Sequence, residues 1–232
     1  MTDTMPKPLV IAHRGDSSRA LENSLEAFRL ALSIPVDMIE FDIRKSRDNI
    51  LYVMHDRETG RTADADINIE KSVSSAIAEL RLKNGEPVPM LSDVLALVDG
   101  RAGLNIEVKS EGAGALVASQ LAASAHSGQV LVSSFKEREV VEARLVSPGI
   151  AVAGIFDVFG MRDAGTYKAK GYDIVSLSSR TVSRELVDHC HGIGLLVYVW
   201  TVDNEKEMEK FLLWGVGGIY SNKPEVLKRI VG

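Results

Sequence analysis

The sequence predicts an α/β fold, a (βα)8 TIM barrel carrying a hairpin and a small insertion after its second strand. Three observations lead there. Short runs rich in β-branched residues recur along the chain, several almost continuously apolar, and strands of that kind belong to parallel sheets buried on both faces. Stretches with helical periodicity separate the runs. Eight such units in 232 residues allot ~29 residues to each, close to a TIM barrel of about 250 residues shared among eight units. A doubly wound open sheet is the competing architecture, but it ordinarily has fewer strands.

The first run is Leu9-Val10-Ile11-Ala12, and the second is Met38 to Ile43. Leu104 to Val108, Val130 to Val132, Ala151 to Ile155, Asp173 to Ser176, Leu195 to Val199 and Gly217 to Tyr220 complete the series. Between them, Leu25, Phe28 and Leu32 share one helical face, as do Val117 with Leu121, and Met208 with Phe211 and Leu212. Ser92 reads as an N-cap before Asp93-Val94-Leu95, because its hydroxyl can accept from a free N–H of the first turn. Gly100, Gly171 and Gly192 stand where helix C-caps are expected.

Two features interrupt the alternation. Asn49 to His55 reads as a further strand, but only a short polar stretch, Arg47-Asp48-Asn49 among it, separates it from the second run. A parallel crossover needs about a dozen residues, so the two must pair as a hairpin, which returns His55 toward the rim. The polar segment 56–89, with a helical patch at Val73, Ile77 and Leu80 and ended by Pro87 and Pro89, reads as an excursion on that rim within a single domain spanning 1–232.

Composition excludes several functions. The net charge is −5, with 45% hydrophobic and 25% charged residues, ordinary for a globular chain and against nucleic-acid binding through bulk positive charge. A lone cysteine, Cys190, excludes an internal disulfide and a multi-cysteine zinc site. No apolar run approaches the ~18 residues of a membrane span, and Met1 to Pro8 does not read as a signal peptide. The expected setting is the cytoplasm, without stable membrane insertion.

The active site of a (βα)8 barrel lies at the C-terminal ends of its strands. Strand one ends in His13-Arg14-Gly15, strand two carries Glu40 and Asp42, and strand three carries Asn105, Glu107 and Lys109. Residues two apart on a strand share a face. Glu40 with Asp42, and Glu107 with Asn105 and Lys109, therefore point into the barrel, while Ile39, Phe41, Ile106 and Val108 point out. Unpaired charge there is costly. Three clustered carboxylates call for a cation, and oxygen ligands select a hard divalent ion, Mg²⁺ or Ca²⁺. The alternative is a structural network in which Arg14, Lys45 and Lys109 pair with the carboxylates. Arg14 offers a planar fork suited to phosphate, Gly15 permits close backbone approach, and His55 joins His13 at the same rim. Together these groups suit hydrolysis of a phosphate ester. His126, His189 and His191 fall in helical segments away from the rim and read as surface residues, with Cys190 a packed helix residue.

At these residues the chain resembles the glycerophosphodiester phosphodiesterase family. The shared pieces are Ile11-Ala12-His13-Arg14-Gly15, Leu21-Glu22-Asn23-Ser24, Glu40-Phe41-Asp42, His55-Asp56, Pro89-Met90-Leu91, Asn105-Ile106-Glu107-Val108-Lys109, Ser133-Ser134-Phe135 and Trp200-Thr201-Val202-Asp203-Asn204, in the family's order over nearly the whole chain. The resemblance implies a TIM barrel that cleaves small-molecule glycerophosphodiesters to glycerol 3-phosphate and an alcohol with a divalent cation. It implies Glu40, Asp42 and Glu107 as metal ligands, His13 and His55 as acid and base, and Arg14 and Lys109 as phosphate contacts. Glu22 and Asn23 support these groups, Asn23 being alternatively a helix cap. Trp200 walls the glycerol or leaving-group side, and Phe135 and Phe156 either line the same mouth or pack. The family's route would run through a cyclic phosphate. Two departures stand out: Leu21 replaces a proline, and Ser221-Asn222-Lys223-Pro224 replaces a closing Thr-Asp-x-Pro, which leaves the role of the last loop open.

Three other readings compete. A lysophospholipase D-like phosphodiesterase needs an apolar surface for acyl chains, and the insertion is polar. A glycosidase uses paired carboxylates but has no need of the His, Arg and Lys set. A non-catalytic ligand-binding barrel has no use for intact acid–base groups.

Overall fold

A computed structural model describes residues 7–124 and 126–232. Its strands are β1 (Leu9–His13), β2 (Met38–Lys45), β3 (Leu51–Val53), β4 (Gly103–Val108), β5 (Val130–Ser134), β6 (Ala151–Phe156), β7 (Ile174–Ser178), β8 (Leu196–Trp200) and β9 (Gly218–Ser221). The helices are α1 (Leu25–Ser33), α2 (Ser74–Ala78), α3 (Leu91–Val98), α4 (Gly114–Ala123), α5 (Glu137–Val146), α6 (Met161–Ala169), α7 (Arg184–Gly192), α8 (Glu205–Leu213) and α9 (Pro224–Val231). Every strand but β3 runs parallel to its neighbours, and the pairing of β1 with both β9 and β2 closes them into an eight-stranded barrel. The TIM barrel is thus the architecture, and the open sheet is excluded.

Alternation along each strand sorts the core into two regions. Outward side chains such as Val10, Ile39, Phe41, Ile106 and Val132 pack under the helices. Phe28 of α1 meets Phe41 of β2 with ring centroids 5.7 Å apart. Burying an aliphatic or aromatic side chain of this size contributes about 1.5–3 kcal/mol. Inward side chains Ile11, Met38, Leu131, Ala153, Ile174, Tyr198 and Tyr220 form a separate apolar plug low in the barrel. The next inward positions along β1, β2 and β4 are His13, Glu40 and Asp42, and Glu107. The register pairs His13 with Glu40 and Asp42 with Glu107, so the apolar plug ends where the charged groups begin.

The hairpin forms as its spacing requires. β3 pairs antiparallel with β2 through Ile43–Val53 and Lys45–Leu51. The turn closes with Asn49 at φ 65, its N–H donating to the Ser46 carbonyl. The following segment packs Ile69, Ile77, Leu80, Leu82 and Val88 against Tyr52 and Met54 of the hairpin, a small core of its own on the rim.

The structure moves several boundaries. Met90, not Ser92, is the N-cap of α3; Ser92 lies in the first turn, and Asp93 accepts from the Met90 N–H at 2.8 Å. Gly192 is the last residue of α7, and the left-handed turn after it falls on Gly194 at φ 71. Gly100 and Gly171 do adopt positive φ after α3 and α6. His126 follows α4 in a loop rather than in a helix, while His189 and His191 lie partly exposed on α7 and Cys190 is fully buried there. The N-terminal reading of Met1 to Pro8 rests mostly on residues 1–6, outside those described. No helix among the described residues is long and apolar enough to cross a membrane.

Candidate active site

The loop from β1 to α1 is folded tightly by two left-handed residues, Arg14 at φ 56 and Gly15 at φ 82. A side chain at Gly15 would meet the Ala27 backbone at 2.7 Å, so only glycine brings this loop down onto α1. The turn aims the Arg14 N–H at Glu40 Oε2, 2.9 Å away, and sets its Nε 3.2 Å from Asp42 Oδ2. Asn23, also left-handed at φ 58, donates through Nδ2 to Asp42 Oδ2 at 2.8 Å. The helix cap is instead Ser24, which accepts from the Ala27 N–H. Asn23 therefore holds Asp42 and does not cap α1.

Glu40, Asp42 and Glu107 are buried, with one oxygen from each lying within 4.8 Å of the others. Among the described residues, only two lysine or arginine side chains answer them directly. Lys109 pairs with Glu107 and lies 3.1 Å from Asp42 Oδ1, and Arg14 pairs with Asp42. Lys45 takes no part. Glu40 Oε1 is buried with no partner, and Asp42 Oδ1 has only the Lys109 ion pair and no geometrically sound hydrogen bond. Burial and then the Asp42 charge push the Glu40 carboxyl up to about 8 and the Glu107 carboxyl up to about 7. Asp42 goes the other way: burial opposes its charge, but Lys109, Arg14, His55 and the Asn23 hydrogen bond outweigh it and hold it ionised. A purely structural ion-pair network would not leave a buried Glu40 oxygen unpartnered and two acids pushed up into the neutral pH range. The all-oxygen donor set and the unpartnered Glu40 oxygen fit a hard divalent cation.

Each histidine is oriented through Nδ1. His13 Nδ1 lies 2.7 Å from Asn222 Oδ1. The Asn222 amide donates to Asp203 at 2.7 Å, turning its carbonyl oxygen toward His13 and the Ser17 hydroxyl. Nδ1 of His13 thus carries the proton and Nε2 presents a lone pair, 3.9 Å from Glu40 Oε2. The last loop, left without a role by the sequence, sets this tautomer. His55 Nδ1 meets Asp56 Oδ1 at 2.6 Å. Burial lowers the pKa of both rings; Arg14 adds to this at His13, and Arg14 and Lys109 do so at His55.

A guanidinium from the insertion ties these supports together. Arg61 donates to Asp56 Oδ2 at 2.5 Å and to both oxygens of Glu22 at 2.9 and 2.7 Å. Glu22 in turn accepts from Arg14 Nη1 at 2.9 Å. The carboxylates beside His55 and Arg14 are thereby joined through one side chain that carries no motif visible in the sequence.

His13, Arg14, Glu40, His55, Glu107, Lys109 and Trp200 line one cavity of about 150 Å³ at the C-terminal mouth of the barrel. Asp42, Asn23 and Glu22 do not line it; Asp42 and Glu22 pair with Arg14, and Asn23 holds Asp42. The floor is neutral: Asn105 donates to the Tyr220 hydroxyl at 2.7 Å, Ser176 lies 2.9 Å from the same hydroxyl, and Ser133 donates to Asn105 at 2.8 Å. Trp200 and the half-exposed Phe135 meet edge to face, 5.6 Å between centroids, and both line the cavity. Phe156 does not reach it; it turns outward against Phe159 and Tyr167.

The profile of the glycerophosphoryl diester phosphodiesterase family matches residues 13–226. The chain belongs to that family. A glycerophosphodiester phosphodiesterase of Caldanaerobacter subterraneus subsp. tengcongensis is 29% identical over 97% of this chain and 98% of its own. One from Bacillus altitudinis is 30% identical over 93% and 95%. Among solved structures, a phosphodiesterase of Oleispira antarctica in complex with the product sn-glycerol-3-phosphate superposes with TM-score 0.89, at 24% identity, over 97% of this chain and 96% of its own, and supports the fold. The protein is an enzyme of this family, a phosphoric diester hydrolase acting as a glycerophosphodiester phosphodiesterase.

Proposed function

We propose that the cavity converts glycerophosphodiesters and water to glycerol 3-phosphate and an alcohol in the cytoplasm, with residues 1–232 acting as one domain. The observation that carries the reading is the convergence of a cation-deficient carboxylate cluster with two oriented histidines, Arg14 and Lys109 around one small cavity. Glu40, Asp42 and Glu107 would hold Mg²⁺ or Ca²⁺. When bound, such an ion supplies positive charge beside the phosphoryl group and lowers the pKa of the attacking group.

The residues of the chain supply the rest. Arg14 and Lys109 stabilise charge on the phosphoryl oxygens, an interaction strongest in the transition state. The Asn105, Ser133, Ser176 and Tyr220 network faces the glycerol with hydroxyl and amide groups. In the first step the glycerol 2-hydroxyl bonds to phosphorus and the bond to the alcohol oxygen breaks. His13 Nε2 takes the hydroxyl proton, and His55 gives its proton to the departing alcohol. In the second step water opens the cyclic phosphate, His55 taking a proton from water and His13 returning one to the glycerol oxygen. The lone pair that Asn222 exposes on His13 Nε2 supports the assignment of His13 as the first base. An attached nucleophile also saves the entropy of capturing a separate one.

The test is a 2-deoxy glycerophosphodiester, which keeps the phosphate contacts but lacks the attacking hydroxyl. The expected result is binding without turnover. Near-normal hydrolysis would replace the cyclic route with direct attack by water.

A further inference from the structure

Beyond the wall of the cavity lies a second hollow of about 320 Å³, lined by Lys45, Arg47, Arg57 and Lys136 together with Glu70 and Glu111. Consecutive residues divide the two. Lys109 and Phe135 face the inner cavity, and their neighbours Ser110 and Lys136 face the outer hollow. A third hollow shares His55 with the lining of the inner cavity and Arg57 with that of the outer one. The outer hollow therefore adjoins the inner cavity on the side of Lys109, Phe135 and His55, and His55 is the group that the reaction proposed above assigns to the departing alcohol.

The charge of this outer hollow is unbalanced. Glu70 is already neutralised: it accepts from Arg44 at 2.7 Å and Ser110 at 2.6 Å, and lies 3.3 Å from Arg57. Glu111 approaches Lys136 only at 3.5 Å, with its side chain 78% exposed, a contact that solvent largely screens. Among the described residues, neither Lys45 nor Arg47 has a carboxylate within salt-bridge distance. The Asp48 carboxylate of the same turn is taken up by Ser46 and Ser74, and the lining of the hollow carries four cations against two carboxylates, a locally positive surface on a chain with net charge −5. Such a surface attracts anions and orients them before contact.

Building on that reaction, we propose that the preferred substrates are glycerophosphodiesters whose alcohol carries a further anionic group, a second phosphate in particular, received by Lys45 and Arg47. The inner cavity reads the glycerol phosphate, and the outer one reads the charge on the alcohol. The preference resides in kcat/KM and weakens with salt, because both cations are solvent-accessible.

The test compares two diesters at low ionic strength, glycerophosphoglycerol and the same compound with a phosphomonoester on its distal glycerol. The expected kcat/KM is at least about tenfold higher for the phosphorylated diester, a difference of roughly 1.4 kcal/mol. The Lys45→Ala/Arg47→Ala double variant should lose that advantage and cleave glycerophosphoglycerol as the wild type does, which shows that the fold and the inner site are intact. Equal kcat/KM for the two diesters in the wild type, or an advantage retained by the double variant, would overturn the inference alone. Failure to cleave either diester with any divalent cation would overturn the proposed reaction and this inference with it.

Discussion

The C-terminal mouth of the barrel is charged on one side and neutral on the other. On β1, β2 and β4 the inward positions hold His13, Glu40, Asp42 and Glu107, with Arg14 and Lys109 just beyond, and a buried oxygen of Glu40 lacks any partner. On β5, β7 and β9 the corresponding positions hold Ser133, Ser176 and Tyr220, joined with Asn105 into a hydrogen-bonded network. A satisfied neutral network adds rigidity at modest cost, whereas incompletely paired buried charge destabilises the fold. Carboxylates left in that state signal a function that uses them. The neutral side is a satisfied scaffold, which the proposed reaction turns toward the substrate's hydroxyls.

The strongest way to break this contrast is to remove cations from the charged side. Arg14→Ala and Lys109→Ala should each lower kcat by roughly 10²–10³-fold, as expected for groups that stabilise transition-state charge. Arg14→Lys should recover only part, since the bidentate fork is lost. Steady-state kinetics would check both, and wild-type values for either alanine variant would remove that residue from the chemistry.

Arg61 supplies the next effect. It touches neither the cavity lining nor the carboxylate cluster, yet it joins Asp56 to Glu22. Arg61→Gln should cost roughly 10–100-fold in kcat with KM little changed, the range seen when groups that orient ligands and acids are removed. The pH–rate profile should also move, because His55 loses the orientation of Asp56. A loss of Tm with unchanged kinetics would make Arg61 a structural residue only.

Protonation gives a smaller but sign-specific effect in metal-free protein. Glu40 and Glu107 rise to about 8 and about 7 from an ordinary 4.5. The native state thus binds protons more tightly than the unfolded chain. The stabilisation is complete below pH ~4.5 and disappears as pH rises through ~7–8. Thermal melts of the stripped protein should show Tm falling between pH 5 and pH 8, and added Mg²⁺ or Ca²⁺ should restore it at pH 8 by binding the native state. A pH-independent Tm over that window would contradict the charge assignment.

On the neutral side the effect should fall on stability and not on catalysis. Tyr220→Phe leaves the buried Asn105 amide and Ser176 hydroxyl without their shared partner, a cost of about 1–3 kcal/mol. Its kcat should stay within about threefold of wild type, since no transition-state charge is stabilised there. Chemical denaturation and kinetics on one preparation would separate the two, and a kcat loss as large as that of Arg14→Ala would erase the distinction between the halves.

The sequence made the charged side readable and much of its support invisible. Strands with apolar residues on both faces stand out from the helices, and the polar residues at alternate positions, Glu40 and Asp42 on β2 and Asn105 and Glu107 on β4, show where the chain places its chemistry. The hairpin follows from the shortness of the link to β3. Helix ends were harder: Ser92 and Gly192 have the right residue types for caps, but the first hydrogen-bonded turn starts after Met90, and the left-handed residue is Gly194. Asn23 reads equally as a helix cap and as a support for the site, and only the distance to Asp42 decides between them. Arg61, Asn222 and Tyr220 act across 39, 209 and 115 residues of sequence on Glu22, His13 and Asn105. No local pattern marks such residues, because their partners meet only once the barrel closes.

The central claim is that Glu40, Asp42 and Glu107 hold a divalent cation on which hydrolysis depends. Release of glycerol 3-phosphate from glycerophosphoglycerol, measured on chelator-stripped protein during titration with Mg²⁺ or Ca²⁺, tests it most directly, with Glu107→Ala alongside and bound metal quantified for both. The account predicts no turnover in the stripped wild type, recovery as about one equivalent of metal binds, and neither binding nor recovery in the variant. Full activity in excess EDTA, with no metal in the purified protein, would contradict it.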